Sequence, residues 1–189
     1  MAYFQLQPAE LELQQLAEKY WQEAGERERQ LEAAAYGAGE AIRSGEHTLP
    51  NLEMIVRWKS ERMVHYLIGN SSENIRAALA VAASPEASAE DAVNALIALR
   101  GVDISIASAI LAAIYPEHYA VLDYRALEAL GHARHDVYFY SEYNSALKRL
   151  AECGMVKPQD GLPAPTALHA LERALWEWSR THAEELASR

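Results

Sequence analysis

The chain has 189 residues, half of them hydrophobic, which is enough for one domain with its own core and too apolar for a disordered segment. Its formal net charge is −10, distributed as −5, −4 and −1 over residues 1–50, 51–131 and 132–189, so no part carries the Lys/Arg excess of an avid, non-specific DNA binder. A single cysteine, Cys153, excludes an internal disulfide and any cysteine-built cluster within one chain, and the lack of a basic start with an apolar stretch, or of a bilayer-length run, predicts a cytoplasmic protein without a membrane partner.

In chain order, every element predicted is a helix. Residues 8–45 are rich in Ala, Leu, Glu and Gln, good helix formers, with Gly25, Gly37 and Gly39 as candidate breaks that leave one to three helices. Pro50 suits the first turn of a helix over 51–69, "NLEMIVRWKSERMVHYLIG", closed by Gly69. Leu52, Ile55, Val56, Met63 and Leu67 form its apolar stripe. "SSENIRAALAVAAS" follows with Ser71 or Ser72 as N-cap, then "SAEDAVNALIALR" after Pro85. Beyond Gly131 come a polar loop, "HARHD", a helix over 138–154, the loop "KPQDGLPAP", and a last helix over 166–186 with Leu168, Leu171, Leu175 and Trp178 on one face. No strand-like alternation or repeat occurs, and the loops are too short to mark a domain boundary. The expectation is one all-α domain, residues 1–189, with an N-terminal helical segment (8–45), a hairpin-containing core (51–131) and C-terminal helices (138–186).

The stretch "LRGVDISIASAILAAIYPEHYAVLDYRALEALG", Leu99–Gly131, carries the functional question. Gly101 suits the left-handed conformation that ends a helix. Ile106, Ile110 and Ile114, four apart, give the next helix a buried row. A turn of this kind presents backbone amides and a helix N-terminus, both suited to a phosphate; an ordinary αα-hairpin has the same outline. After Pro116 and the extended "HYAVLD", Asp123 stands before "YRALEALG", where it is also a good N-cap.

Taken together, "LRGVD", "ASAIL", "YAVLD" and "YRALEALG" resemble the helix-hairpin-helix DNA glycosylase superfamily, with its hairpin glycine, small-residue helix, extended apolar piece and Asp before a helix. "ASAIL" after a Ser is most similar to the adenine-glycosylase branch, and the ending "ALERALWEWSR" resembles bacterial members of a divergent branch without the iron–sulfur cluster. The resemblance implies DNA as partner and Asp123 as the carboxylate that stabilises the cationic sugar or helps activate water. Ser105 then stands where lyase-type members hold a nucleophilic Lys, which implies a monofunctional enzyme, since Ser forms no Schiff base. The chemistry needs an extruded nucleotide but no cofactor and no metal. The hairpin contacts to DNA would fall on Arg100, Gly101, Val102, Asp103 and Ser105.

Two departures from the pattern stand inside the hairpin. Asp103 occupies the place of the second glycine, where its carboxylate could cap the following helix and oppose a phosphate. Arg100 replaces the usual Pro. The best local basic stretch is "VRWKSER", in which Arg57, Lys59 and Arg62 flank Trp58; it suits phosphate contact or base stacking, while the core is the ordinary place for a Trp. Arg125 is a further candidate DNA contact beside Asp123. His132, His135 and Asp136 lack the ligands of a complete metal site. Tyr140 and Tyr143 read as aromatic core, Cys153 as a buried thiol, and Trp176 and Trp178 as facing different ways on one helix. Three functions fit: a monofunctional base-excising hydrolase, a catalytically silent binder of DNA structure, and a protein-interaction module that kept the fold without DNA contact.

Overall fold

Short polar side chains mark the helix starts. Ser71, Ser88, Asp103, Asp123 and Thr166 each accept a backbone N–H from the first turn of the helix they precede, satisfying donors that the helix itself leaves open. The computed structural model describes residues 4–132 and 137–183, with the backbone alone at 137 and 138. Its regular structure is entirely helical, as expected: α1 (Leu13–Glu23), α2 (Glu26–Arg43), α3 (Leu49–Ser60), α4 (Val64–Leu67), α5 (Ser72–Ala82), α6 (Ala89–Ile97), α7 (Ile104–Ile114), α8 (Tyr124–Ala129), α9 (Val137–Glu152) and α10 (Ala167–Thr181). No helix among the described residues is long and apolar enough to cross a membrane.

These helices form two compact units, one of Gly25–Val121 and the other of the described parts of residues 1–24 and 122–189. In the first, α7 is the central element. It is buried on every side from Ile106 to Ile114, and α2, α3 and α6 pack against it. A helix this apolar all round belongs inside a core rather than on its face. Its contact with α2 depends on Gly39, where a Cβ would run into the backbone carbonyl of Ala113. Gly37, exposed on the same helix, has open space where its Cβ would be. Neither glycine breaks α2; the break in the N-terminal segment falls at Gly25, which leads into α2.

The expected helix over 51–69 is three pieces. Backbone at Ser60 turns to φ −161° and ψ 93°, a 3-10 turn covers Glu61–Met63, and α4 follows. Leu52, Ile55, Val56 and Leu67 are buried all the same, because the stripe resumes on the core side after the break. Trp58 is half-buried and tilts against Tyr36 with ring centroids 5.5 Å apart, so it lines the edge of the core rather than its interior.

In the other unit, α1, α8 and α9 pack on α10, with Leu168, Leu171, Leu175 and Trp178 buried as the sequence predicts and Trp176 half-buried. α10 runs to Thr181, where the Thr181 hydroxyl donates to the carbonyls of Glu177 and Trp178; residues 184–186 of the expected helix lie outside the described residues. Residues 4–7 run alongside the end of α8: the N–H of Gln5 donates to the Leu130 carbonyl at 3.1 Å and that of Gln7 to the Ala129 carbonyl at 2.8 Å. Tyr140 and Tyr143 are in the core. Cys153, in contrast, is exposed, because α9 ends one residue before it and the chain turns outward at Gly154.

One ionic cluster ties α1 to α10. The Glu177 carboxylate, 1 % exposed, receives Lys19 Nζ at 3.0 Å and Arg180 Nη2 at 2.7 Å, and Arg180 also pairs with Glu23. Burial opposes ionisation of Glu177, but the hydrogen bonds from Arg180 and Lys19 outweigh it and hold the carboxyl below its usual range. A lowered folded-state value adds stability above the unfolded pKa that is lost as pH falls through the folded one. Lys19 and Arg180 are about two-fifths exposed, so solvent screening limits the effect to about 1 kcal/mol. The expected result in urea unfolding is that the parent chain loses more stability than Glu177→Gln between pH 5 and the acid limb; equal losses would show that the cluster contributes nothing.

Candidate functional site

The turn between α6 and α7 is built by a few local contacts. Gly101 has φ +85°, a conformation that favours glycine, and its Cα side lies against α4: a Cβ there would meet Tyr66 Cβ at 2.8 Å and the Met63 carbonyl at 3.2 Å. Asn70 fastens the turn from the side. Its Oδ1 accepts the Arg100 N–H at 2.8 Å, and its Nδ2 donates to the Arg100 carbonyl at 2.9 Å and to the Leu67 carbonyl at 3.0 Å. Sequence reasoning did not single out Asn70, which reaches its partner across 30 residues.

At the head of α7, Asp103 acts as the sequence suggests a carboxylate would. Its Oδ1 accepts the Ile106 N–H at 2.8 Å, so an amide of the helix N-terminus already faces a negative charge. Val102 is buried, Arg100 and Asp103 are exposed, and Ser105 is half-buried on the first turn. Of the basic stretch, Arg57 is exposed and Lys59 half-buried on the last turn of α3, while Arg62 is exposed beyond the break at Ser60. The kink splits what the sequence presents as a single basic face.

Asp123 begins α8 as its N-cap, half-buried, with Oδ1 accepting the Arg125 N–H at 2.9 Å. Beneath it lies a polar interior drawn from α9 and α10. Tyr143 is fully buried, and its phenol is pushed well above its ordinary value, first by burial and then by the negative fields of Glu172 and Asp123, so it stays protonated as a donor. His169 Nδ1 and Glu172 Oε2 are 3.0 Å apart, both buried. Neither Glu172 nor His169 stood out in the sequence, because they border the apolar stripe of α10 and read as its polar flank.

Arg125 lies between two rings, 5.1 Å from the Tyr124 centroid and 5.2 Å from that of Trp176. Its Nη1 is 3.5 Å from Ser179 Oγ, and that hydroxyl donates to Glu128 Oε2 at 2.5 Å. The Arg is thus held as a flat cation by aromatic faces. The His132 ring lies tilted against those of Phe4 and Phe139, with centroids 4.9 and 5.4 Å away. His135 and Asp136 lie outside the described residues, and among the described residues no group of three or more metal-type side chains gathers. In comparisons with known proteins, no family model, no curated protein and no solved structure matches this chain.

Proposed function

We propose that the chain is a divergent, monofunctional DNA base-excising hydrolase with Asp123 as its working carboxylate. The observation that supports this reading best is the build of Leu99–Gly131: a positive-φ turn at Gly101, the buried helix α7, a non-helical apolar stretch, and a half-buried Asp123 at the head of α8, in the order that the resemblance to helix-hairpin-helix glycosylases implies. In this reading the N-glycosidic bond of an extruded nucleotide breaks and its electron pair leaves with the base. The Asp123 carboxylate stabilises the cationic sugar. Water then adds through its oxygen to C1′ and passes a proton to that carboxylate. Ser105 supplies no amine, so the strand stays whole.

Base release from a panel of damaged and modified duplexes tests the reading. The expected products are a free base and an alkali-labile abasic site, with no covalent adduct after borohydride. A robust adduct, formed for example through Lys59, would contradict the monofunctional assignment, and a panel without any release would remove excision altogether.

A second reading, an interaction module without DNA contact, is favoured by one feature, the Asp103 carboxylate on the α7 amide. Asp103→Gly separates the two. It removes a cap and frees the unfolded chain, so stability should fall by about 1 kcal/mol. On the DNA reading it also removes repulsion at the hairpin, and DNA affinity should rise at low salt with a steeper salt dependence. Undetectable binding by both proteins in a salt titration would favour the interaction module.

A further inference from the structure

We infer that residues 4–7 form a strap that positions Asp123 from the far end of α8, with Phe4 as the positioning residue that anchors it. The inference rests on the proposed function, in which the placing of the Asp123 carboxylate sets the rate. α8 has six residues, too few to hold as a helix without tertiary support. Asp123 caps its first turn, and Ala129 follows about 9 Å further along the axis. The buried side chains within it are Ala126, Leu127 and Ala129, so Leu127 is the one large group that keys it into its neighbours. A helix keyed so lightly by side-chain ridges needs a stop at its end to keep its register.

The strap supplies that stop by completing the end of α8. Gly131, at φ +70°, lets the chain close a reversing turn, in which the His132 N–H donates to the Leu127 carbonyl at 2.8 Å and the Gly131 N–H to that of Glu128 at 3.0 Å. The next two carbonyls accept from the strap: Ala129 from the Gln7 N–H at 2.8 Å and Leu130 from the Gln5 N–H at 3.1 Å. The carbonyls that a helix end leaves open are thereby all used. Gln7 Nε2 donates to the Gln5 carbonyl at 2.9 Å and lies 3.2 Å from where a Gly131 Cβ would stand. The strap is therefore closed on itself and seated directly on the turn.

Phe4 ties the strap to the interior beneath Asp123. Its half-buried ring lies tilted against Phe139 with centroids 5.6 Å apart, and edge-on to Tyr143 at 6.4 Å. Both partners are buried, and the Tyr143 phenol lies in the negative fields of Glu172 and Asp123. The strap thus meets the surroundings of Asp123 by two routes, along the α8 backbone and through α9. A small misplacement of a reacting group, caused by a change far from the chemistry, lowers a rate steeply. A contact at the opposite end of a short, lightly keyed helix controls such a displacement.

The experiment compares the full chain with Phe4→Ala and Phe4→Leu by two readouts. Amide hydrogen exchange at Arg125, whose N–H Asp123 Oδ1 accepts, reads the order of the cap without any reaction, and Leu175, buried within α10, is the reference amide. The single-turnover rate of base release and the duplex affinity, on the duplex that the parent processes best, read the consequence. The expected result for Phe4→Ala is exchange at Arg125 faster by about tenfold with Leu175 unchanged, and base release slower by about tenfold at unchanged affinity. Phe4→Leu keeps an apolar side chain against Phe139 and Tyr143 and should restore most of both. Unchanged exchange at Arg125, or an unchanged rate in an active parent, would overturn the inference. A faster rate would also overturn it, by showing that the strap covers the site instead of positioning it. If the parent releases no base, the proposed function fails, and exchange at Arg125 alone decides whether the strap orders Asp123.

Discussion

Gly39→Ala is expected to destabilise the chain by about 3 kcal/mol, at the upper end of overpacking effects. Alanine is the better helix former, by about 1 kcal/mol, so propensity alone predicts the opposite sign. The clash decides it. A Cβ at Gly39 meets the Ala113 carbonyl and comes within 2.9 Å of the Ile114 amide nitrogen. These are backbone atoms of α7, which is buried from Ile106 to Ile114, and no rotamer change relieves the contact. α2 must move off α7, opening gaps along their shared face. Gly37→Ala, two residues earlier with open space around its Cβ, should raise stability by about 0.5–1 kcal/mol. Urea unfolding of the two variants checks the sign difference, and a stabilised Gly39→Ala would show that α2 and α7 are not in this close contact.

That pair of glycines also shows how the fold could be read from the residues and where reading stopped. Helix starts were legible because a cap is a local event: Ser71, Asp103 and Asp123 each bind an amide two or three residues on. Gly39 reads as a candidate break, since a sequence does not state what lies across from a residue; its partner is more than seventy residues away. The break at Ser60–Met63 carries neither Gly nor Pro, and the apolar spacing runs on past it. Cys153 reads as buried by residue type, but the end of α9 turns it outward.

The candidate site divides the same way. Asp123, Gly101 and Asp103 stand in one contiguous stretch and could be named from spacing and cap chemistry. Tyr143, whose phenol lies in the negative fields of both Asp123 and Glu172, comes from α9, and Glu172 comes from α10; neither is near Asp123 in sequence. The buried Glu177 is similar: its partner Lys19 is at the other end of the chain, and a lone Glu on an amphipathic helix looks like solvated surface.

In the proposed reaction Asp123 acts through its charge and not only as a helix cap, and Asp123→Asn separates these roles. Asn ranks with Asp as an N-cap, and its side-chain oxygen can accept the Arg125 N–H that Asp123 Oδ1 now holds. Fold stability should therefore change little, by about 0.5 kcal/mol or less. On the proposed reading a negative charge beside the developing sugar cation is lost, and removing one such electrostatic stabiliser typically lowers a rate by about 10²–10³-fold. The measurement is the single-turnover rate of base release for parent and Asp123→Asn on the duplex that the parent processes best, with unfolding midpoints recorded for both. Equal midpoints and a rate lower by at least about a hundredfold are expected. Equal midpoints with equal rates would contradict the role of the charge and leave Asp123 as the cap of α8 alone.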